Sequence, residues 1–179
     1  MAYSVPVNDP GEDLFQFAQL IDQLKHEDAQ FRLSASKSLE GIARALGPER
    51  TCNELVPFLS AMTDDEDEIL YVIAGKLGEL VSYVGGPEKS YVIFEPLEKL
   101  ARVEDVSVRE MAASSINTII QNVIDTHVVE HCVPLVKRLA MQDSHTCRAI
   151  SCDLFESIYK RSGNTMQNTI LSIFLGLCS

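Results

Sequence analysis

The sequence has no tryptophan and little positive charge. Its 179 residues include 15 lysines and arginines against 26 aspartates and glutamates, which gives a formal net charge of −11. A surface with this charge repels the phosphates of nucleic acids and of anionic membranes. Nucleic acid and membrane are therefore not predicted as partners, and basic protein surfaces are favoured instead.

Long apolar runs and dense cysteines are absent as well. No stretch is apolar enough to span a bilayer, and residues 1–13 lack the basic start, apolar run and cleavage site of a secretory signal. The five cysteines are odd in number and scattered, unlike the disulfide framework of a short secreted domain. The expectation is reduced thiols and a cytoplasmic location, with the nucleus as the alternative.

The common motifs of enzymes and cofactor sites do not occur. The glycines at 85–86 follow a helical pattern instead of a strand, so they do not form a phosphate-binding loop. His127 and His131 lie four residues apart near three cysteines, which raises the question of a zinc site. Their spacing matches no compact zinc motif, and those cysteines fall on or beside apolar stripes, as buried structural thiols do. We therefore predict no catalytic residue, no metal site, no cofactor and no enzyme.

Apolar residues recur every three or four positions through four long segments, which is the pattern of amphipathic helices. The segments begin near residues 31, 69, 108 and 147, and shorter apolar helices lie between them. No comparable run alternates with a period of two, so no sheet is predicted. The fold class is therefore all-α, with the helices arranged in pairs.

The helix pairs follow a repeat of about 38 residues. Asp28, Asp67, Asp105 and Asp143 each precede a long helix and recur every 38 or 39 residues. A proline lies nine or ten residues before three of these aspartates, and glycine marks most of the turns between units. We interpret the aspartates first of all as helix N-caps.

This spacing resembles that of the HEAT repeat, in which pairs of antiparallel helices stack against copies of themselves. The resemblance implies an α-solenoid of HEAT repeats, with four helix pairs and one unpaired C-terminal helix. The expected segments are an N-terminal extension, four complete repeats and the first helix of a truncated fifth repeat, at 1–11, 12–46, 47–84, 85–124, 125–162 and 163–179.

Several stretches go beyond the general repeat and are similar to the scaffold (A) subunit of protein phosphatase 2A. They keep that family's order and spacing from about residue 12 to 178, and they comprise 20–28, 45–51, 54–59, 65–70, 80–88 and 133–140. The resemblance implies a non-enzymatic scaffold built from the N-terminal repeats of that family. It also implies that a regulatory (B) subunit binds here, and that the catalytic subunit binds C-terminal repeats that this sequence does not contain.

In that family the contacts use the loops between the two helices of each repeat, here 26–29, 63–68, 101–106 and 141–146. The implied protein-binding residues are Glu27, Asp28, Asp64, Asp65, Glu66, Asp67, Glu68, Glu104, Asp105, Asp143, Ser144 and His145. The family often has aromatic residues where this chain has Ser144 and His145. The acidic run 64–68 carries more charge than a helix N-terminus uses. It is either a solvated helix start or a patch that attracts Lys and Arg of a partner.

Two further expectations concern partners. An importin-like adaptor for basic cargo is the alternative function, since its helical repeats also use acidic loops. Such adaptors usually carry a ladder of asparagine and tryptophan, and this chain has no tryptophan. The last helix carries Ile170, Ile173, Phe174 and Leu177 on overlapping apolar faces, so self-association at that end is expected.

Overall fold

A computed structural model describes residues 18–177 of the chain. The predicted N-terminal extension, 1–11, lies outside the described residues. Within 18–177 the chain is helical and contains no strand, which confirms the all-α prediction. In this range no helix combines the length and the apolar character needed to cross a membrane.

The described part contains eleven α-helical segments, joined by short turns. The first, α1, is helical over 18–24. The others are α2 (Ala29–Lys37), α3 (Leu39–Arg50), α4 (Val56–Ser60), α5 (Asp67–Glu79), α6 (Phe94–Leu100), α7 (Val106–Asn122), α8 (Asp125–His127), α9 (Val133–Ala140), α10 (His145–Arg161) and α11 (Asn164–Leu177). π-helical turns occupy Thr51–Leu55 and Val128–Cys132, and 3-10 turns occupy Leu80–Val84, Gly86–Glu88 and Ser90–Ile93.

Prolines explain the two π-helical turns. Pro57 and Pro134 lie at the second positions of α4 and α9, directly after these turns. A proline has no N–H, and its ring collides with the carbonyl four residues earlier. A π turn changes the hydrogen-bond pattern at that carbonyl, so the helix continues past the proline. The sequence indicated the prolines but not the widened turns.

Two of the four predicted aspartate caps are confirmed. The Asp28 side chain accepts the backbone N–H two residues later, and the Asp105 side chain accepts the one three residues later, both at 2.9 Å. The other two predictions were wrong by one position, because the chain enters helical geometry earlier or later than the aspartate. The observed caps there are Glu66 before Asp67 and Ser144 after Asp143.

Glycines form the first two turns between repeats. Gly47 and Gly85 have φ angles of 73° and 102°, which residues with a Cβ rarely adopt. The next turn uses extended backbone at Val123 and Ile124, and the last one extends at Ser162. Gly163 does lie in this last turn, as expected, but its φ angle is not positive, unlike those of Gly47 and Gly85.

The helices pack in two layers. In layer A, α4, α6, α9 and α11 pack against one another in chain order, and α2, α5, α7 and α10 do the same in layer B. The Lys25 ammonium lies 5.6 Å from the centre of the Phe58 ring, which places the end of α1 beside α4. Apolar side chains of both layers form one continuous buried core, because an isolated helix pair has no second wall on which to bury its stripe. The α-solenoid of HEAT repeats is confirmed, and its repeat boundaries stay predictions.

Ion pairs join neighbouring repeats within layer A. Glu98 of α6 is 8% exposed, and its carboxylate accepts hydrogen bonds from Arg138 of α9, the shortest at 2.6 Å, and from Arg102. The hydrogen bond that Arg138 donates to Glu98 raises the pKa of Arg138. On the other side of α6, Lys99 Nζ donates to the Ser60 hydroxyl at 2.8 Å. These contacts fix the register of α6 against the helices before and after it.

Candidate protein-binding site

The loops inside the four repeats lie at one end of the two layers. This follows because the helices that they precede, α2, α5, α7 and α10, pack side by side in that order. We call these loops the ridge and define it as residues 25–28, 61–66, 101–105 and 141–144. The ridge and the first two residues of the following helices contain all twelve predicted binding residues.

Most of the predicted residues are open to solvent. Ten are exposed, and the other two, Asp65 and Asp105, are half-buried. The exposed ones are Glu27, Asp28, Asp64, Glu66, Asp67, Glu68, Glu104, Asp143, Ser144 and His145. The ridge is therefore a row of exposed carboxylates, with one or more in each loop.

In three of the four loops, an arginine side chain holds the backbone in place by hydrogen bonds; we call these braced loops. Arg32, Arg109 and Arg148 each lie four residues after the N-cap of their own layer-B helix, and each guanidinium donates to two successive loop carbonyls. For Arg32 both N–O distances are 2.8 Å, and for Arg148 they are 3.0 and 2.7 Å. The sequence showed these arginines at four or five residues after an aspartate, but it did not show what they bind.

The second repeat has Leu70 where the others have this arginine, and its loop is held from the neighbouring repeat instead. Arg32 Nε and Nη2 donate to the two carboxylate oxygens of Asp65 at 2.9–3.1 Å. The hydrogen bond with Asp65 raises the pKa of Arg32, and the Asp65 side chain is only 9% exposed. Asp65 is therefore a tie between the first two loops and not a free carboxylate of the acidic run.

Removing this tie is expected to loosen the second loop. The substitution Asp65→Asn takes away the charge that holds Arg32, so backbone amides at 61–66 should exchange with deuterium faster than in the unsubstituted chain. Asp64→Asn is the matched control, because Asp64 is exposed and forms no ion pair within 18–177. Equal exchange in the two variants would show that the Arg32–Asp65 pair does not hold the loop.

The first two loops enclose a groove, and apolar side chains flank the ridge. The groove has a volume of about 430 Å³ and is lined by residues of both loops. Phe31 is 54% exposed, Val106 54% and Met141 69%, and the Phe31 ring lies 4.5 Å from the His26 ring. Exposed apolar side chains with polar residues around them are common in protein interfaces. These three residues were not predicted as binding residues, although apolar residues at otherwise polar helix ends were a visible signal. Phe31 begins the first predicted apolar stripe and is exposed instead of facing the core.

The sequence is similar to known phosphatase scaffold proteins over almost its whole length. The 65 kDa regulatory A subunit, beta isoform, of serine/threonine-protein phosphatase 2A from Rattus norvegicus is 44% identical over 171 residues, which cover 96% of this chain. The regulatory A subunit of protein phosphatase PP2A from Schizosaccharomyces pombe is 43% identical over 167 residues, or 93% of this chain. The chain is a protein phosphatase 2A A-subunit-like protein.

The A-subunit-like chain spans 28% of the length of these relatives. No protein-family model matches it. Among solved structures, the crystal structure of Cex1p superposes on 81% of the A-subunit-like chain and on 28% of its own chain, with a TM-score of 0.65 and 20% sequence identity. At that identity the likeness concerns the fold alone.

Two of the four cysteines within residues 18–177 of the A-subunit-like chain are buried. Cys132 and Cys147 are buried, and burial raises the pKa of the Cys132 thiol to about 12. Cys152 is exposed instead, contrary to the expectation of a buried thiol, because it lines the open groove between α10 and α11. The two histidines that accompany the cysteines in the sequence do lie together, with ring centroids 5.0 Å apart for His127 and His131.

Helix α11 of the A-subunit-like chain buries only part of its own apolar side chains. Ile170 is 3% exposed, whereas Phe174 is 36% and Leu175 65% exposed. An apolar groove of about 270 Å³ lies between α10 and α11, where the Phe155 and Phe174 rings are 5.4 Å apart. The side chain of Leu177 lies outside what the structure describes. Self-association through this end stays a prediction.

Proposed function

We propose that the A-subunit-like chain is a non-enzymatic scaffold that binds a regulatory B subunit of protein phosphatase 2A through the ridge. It thereby helps to organise a serine/threonine phosphatase complex. The observation that supports this most strongly is a row of exposed acidic loops on a chain whose relatives are named as regulatory A subunits of the phosphatase. The same relatives favour this function over the importin-like alternative.

The braced loops favour binding because their backbone loses little conformational freedom when a partner associates. A binding loop that is mobile in the free protein loses conformational freedom when it meets its partner, which reduces affinity. Here the guanidinium groups of Arg32, Arg109 and Arg148 already tie the loop carbonyls to the layer-B helices. The carboxylates are thus presented from loops that are fixed before the partner arrives.

Stacking of the repeats sets the dimensions of the ridge. Helices that pack side by side lie about 8–10 Å apart, so four loops extend over about 30 Å. A surface of this length fits a partner that contacts several repeats at once. Attraction between its carboxylates and a basic partner is screened over about 8 Å at physiological ionic strength. We therefore expect contacts of Lys and Arg close to the individual loops.

Two parts of the proposal concern what the chain does not bind and where it acts. We propose that the catalytic subunit does not bind this chain strongly, because the family resemblance assigns that contact to other repeats. We also propose a cytoplasmic location, with the nucleus as the alternative, and its support is the scattered, odd set of five cysteines.

Surface plasmon resonance tests the partner assignment. The chain is immobilised, and purified regulatory B and catalytic subunits are passed over it separately. We expect saturable binding of a B subunit that weakens as the salt concentration rises, and no comparable binding of the catalytic subunit. Tight binding of only the catalytic subunit, or no binding of any B subunit, would contradict the proposal.

A further inference from the structure

Three potential metal ligands come together on the fourth repeat. His127 ends α8, and Glu130 and His131 follow in the π-helical turn. One ring nitrogen of each histidine and one carboxylate oxygen of Glu130 all lie within 4.8 Å of one another. Within residues 18–177 this is the one group of three or more His, Cys, Asp and Glu side chains with such proximity. The cysteines considered from the sequence do not belong to it.

The local backbone brings these residues to one side of the helix. Residues three and four apart are neighbours on a helix surface, and His127, Glu130 and His131 have these spacings. The turn that carries them is widened because Pro134 follows it and cannot donate to the carbonyl of Glu130. π-helical turns inside α-helices often occur at functional sites.

A second observation shows that one ring nitrogen of the cluster has no hydrogen-bond partner in the described part of the chain. His127 Nδ1 is shielded from solvent and has no hydrogen-bond partner in the described part of the chain. A buried nitrogen without a partner costs stability, and each such atom in a native structure calls for an explanation. Glu130 is exposed and forms no ion pair within 18–177, so its carboxylate is free to bind an ion.

An aromatic ring from the preceding repeat holds the histidines in place. Tyr91 stacks on His131 with ring centroids 4.1 Å apart and an interplanar angle of 5°, and its ring meets that of His127 at 4.8 Å. Packing of this kind restricts the side-chain torsions of ligands before an ion arrives. Preorganised ligands bind more tightly than mobile ones.

We propose that His127, Glu130 and His131 form a surface site for Zn²⁺ or a similar divalent transition-metal ion. Imidazole ligands favour Zn²⁺, Cu²⁺ and Ni²⁺ over Ca²⁺ and Mg²⁺, which take oxygen ligands. Two histidines and one glutamate supply three of the four positions around zinc, and water or a partner group completes the fourth. With bonds of about 2.0–2.2 Å the ligands of a tetrahedral site lie about 3.4 Å apart, so ion binding draws the ligand atoms, which lie within 4.8 Å of one another, closer together.

The site is separate from the ridge. The cluster lies at the start of the layer-A helix of the fourth repeat, and the loop 141–144 lies at its end. From residue 131 to residue 141 a helix rises about 15 Å at 1.5 Å per residue. Ion binding and ridge binding are therefore expected to be independent, and the failure of one proposal does not affect the other.

Isothermal titration calorimetry with ZnCl₂ tests the site on the full chain after treatment with a chelator. We expect one ion per chain, and we expect His131→Gln, His127→Gln and Glu130→Gln each to weaken binding by more than about tenfold. Even residues that only orient metal ligands contribute about 10–100-fold to affinity. The matched controls are Glu49→Gln and Cys152→Ser, which change an exposed carboxylate and an exposed thiol outside the cluster and outside the ridge and should leave affinity for Zn²⁺ unchanged.

Two measurements keep the outcome unambiguous. Circular dichroism melting reports whether each variant is folded, and if His127→Gln unfolds, the exposed Glu130 and half-buried His131 still test the site. Visible and near-ultraviolet spectra with Co²⁺ in place of Zn²⁺ distinguish imidazole and carboxylate ligands, which we expect, from thiolate ligands. No saturable binding, binding that survives all three substitutions, or a thiolate spectrum would overturn the proposal.

Discussion

Gly78→Val is expected to reduce the free energy of unfolding by about 2–3 kcal/mol and the melting temperature by roughly 5–10 °C. Gly78 lies where α5 meets α7. A Cβ atom at this position would lie 2.7 Å from Ser115 Oγ and 3.2 Å from Ser115 Cα. Because one of these atoms belongs to the backbone, a new rotamer of the serine does not relieve the collision.

The surrounding contacts show why the two helices are so close. The Ser115 hydroxyl donates to the carbonyl of Ala74 at 2.8 Å, across the interface between α5 and α7. A valine at 78 pushes these helices apart and breaks this hydrogen bond. The interface joins the second and third repeats, and each repeat of a solenoid contacts only its neighbours. Hydrogen exchange should therefore become faster on both sides of this interface.

The matched control places the same side chain in open space. Gly41 is an exposed helical residue with no atom within 4 Å of its added Cβ, so Gly41→Val should change stability by less than about 0.5 kcal/mol. The double variant Gly78→Ala with Ser115→Gly adds a methyl group to α5 and removes the hydroxymethyl side chain opposite it on α7. It should lose less stability than the sum of its single variants. If the Gly78→Val chain and the unsubstituted chain have the same melting temperature, the helices move apart without a loss of stability.

The fold was predictable because it follows from periods within the sequence. Apolar residues at helical spacing identify the helices, and the recurrence of Asp28 and Asp105 before helices identifies the repeat. The contact between Gly78 and Ser115 was not predictable in the same way. A period shows which residues face the core, but it does not show which two residues of neighbouring helices approach most closely.

The candidate site was predictable to the level of its loops. The acidic run 64–68 indicates a charged surface, yet the sequence does not distinguish the exposed Asp64 from Asp65, which Arg32 binds. Their difference depends on a residue 33 positions earlier that stacking of the repeats brings close. The spacing of His127 and His131 was visible in the sequence, but the contribution of Glu130, the unpaired nitrogen and the ring of Tyr91 appear only in the structure.

Reversing three charges of the ridge is expected to slow association with a regulatory B subunit by about tenfold or more, since steering by charge contributes about 10–1,000-fold to association rates. The variant combines Asp64→Lys, Glu104→Lys and Asp143→Lys, one substitution in each of three loops. All three side chains are exposed, and none forms an ion pair within 18–177. Asp65 is left unchanged because it holds Arg32, so the hydrogen bonds between the arginines and the loops are kept.

A control with the same change in net charge separates the ridge from the rest of the surface. Glu49→Lys, Glu88→Lys and Asp153→Lys change exposed carboxylates outside the ridge that form no ion pair in the described residues. Surface plasmon resonance at several salt concentrations should show slower association for the ridge variant alone, with a smaller change in dissociation rate, because exposed charges act mainly before contact. The difference should shrink as salt screens the charges. If the control slows association as much as the ridge variant, the total charge of the chain attracts the partner and the ridge has no special part in binding.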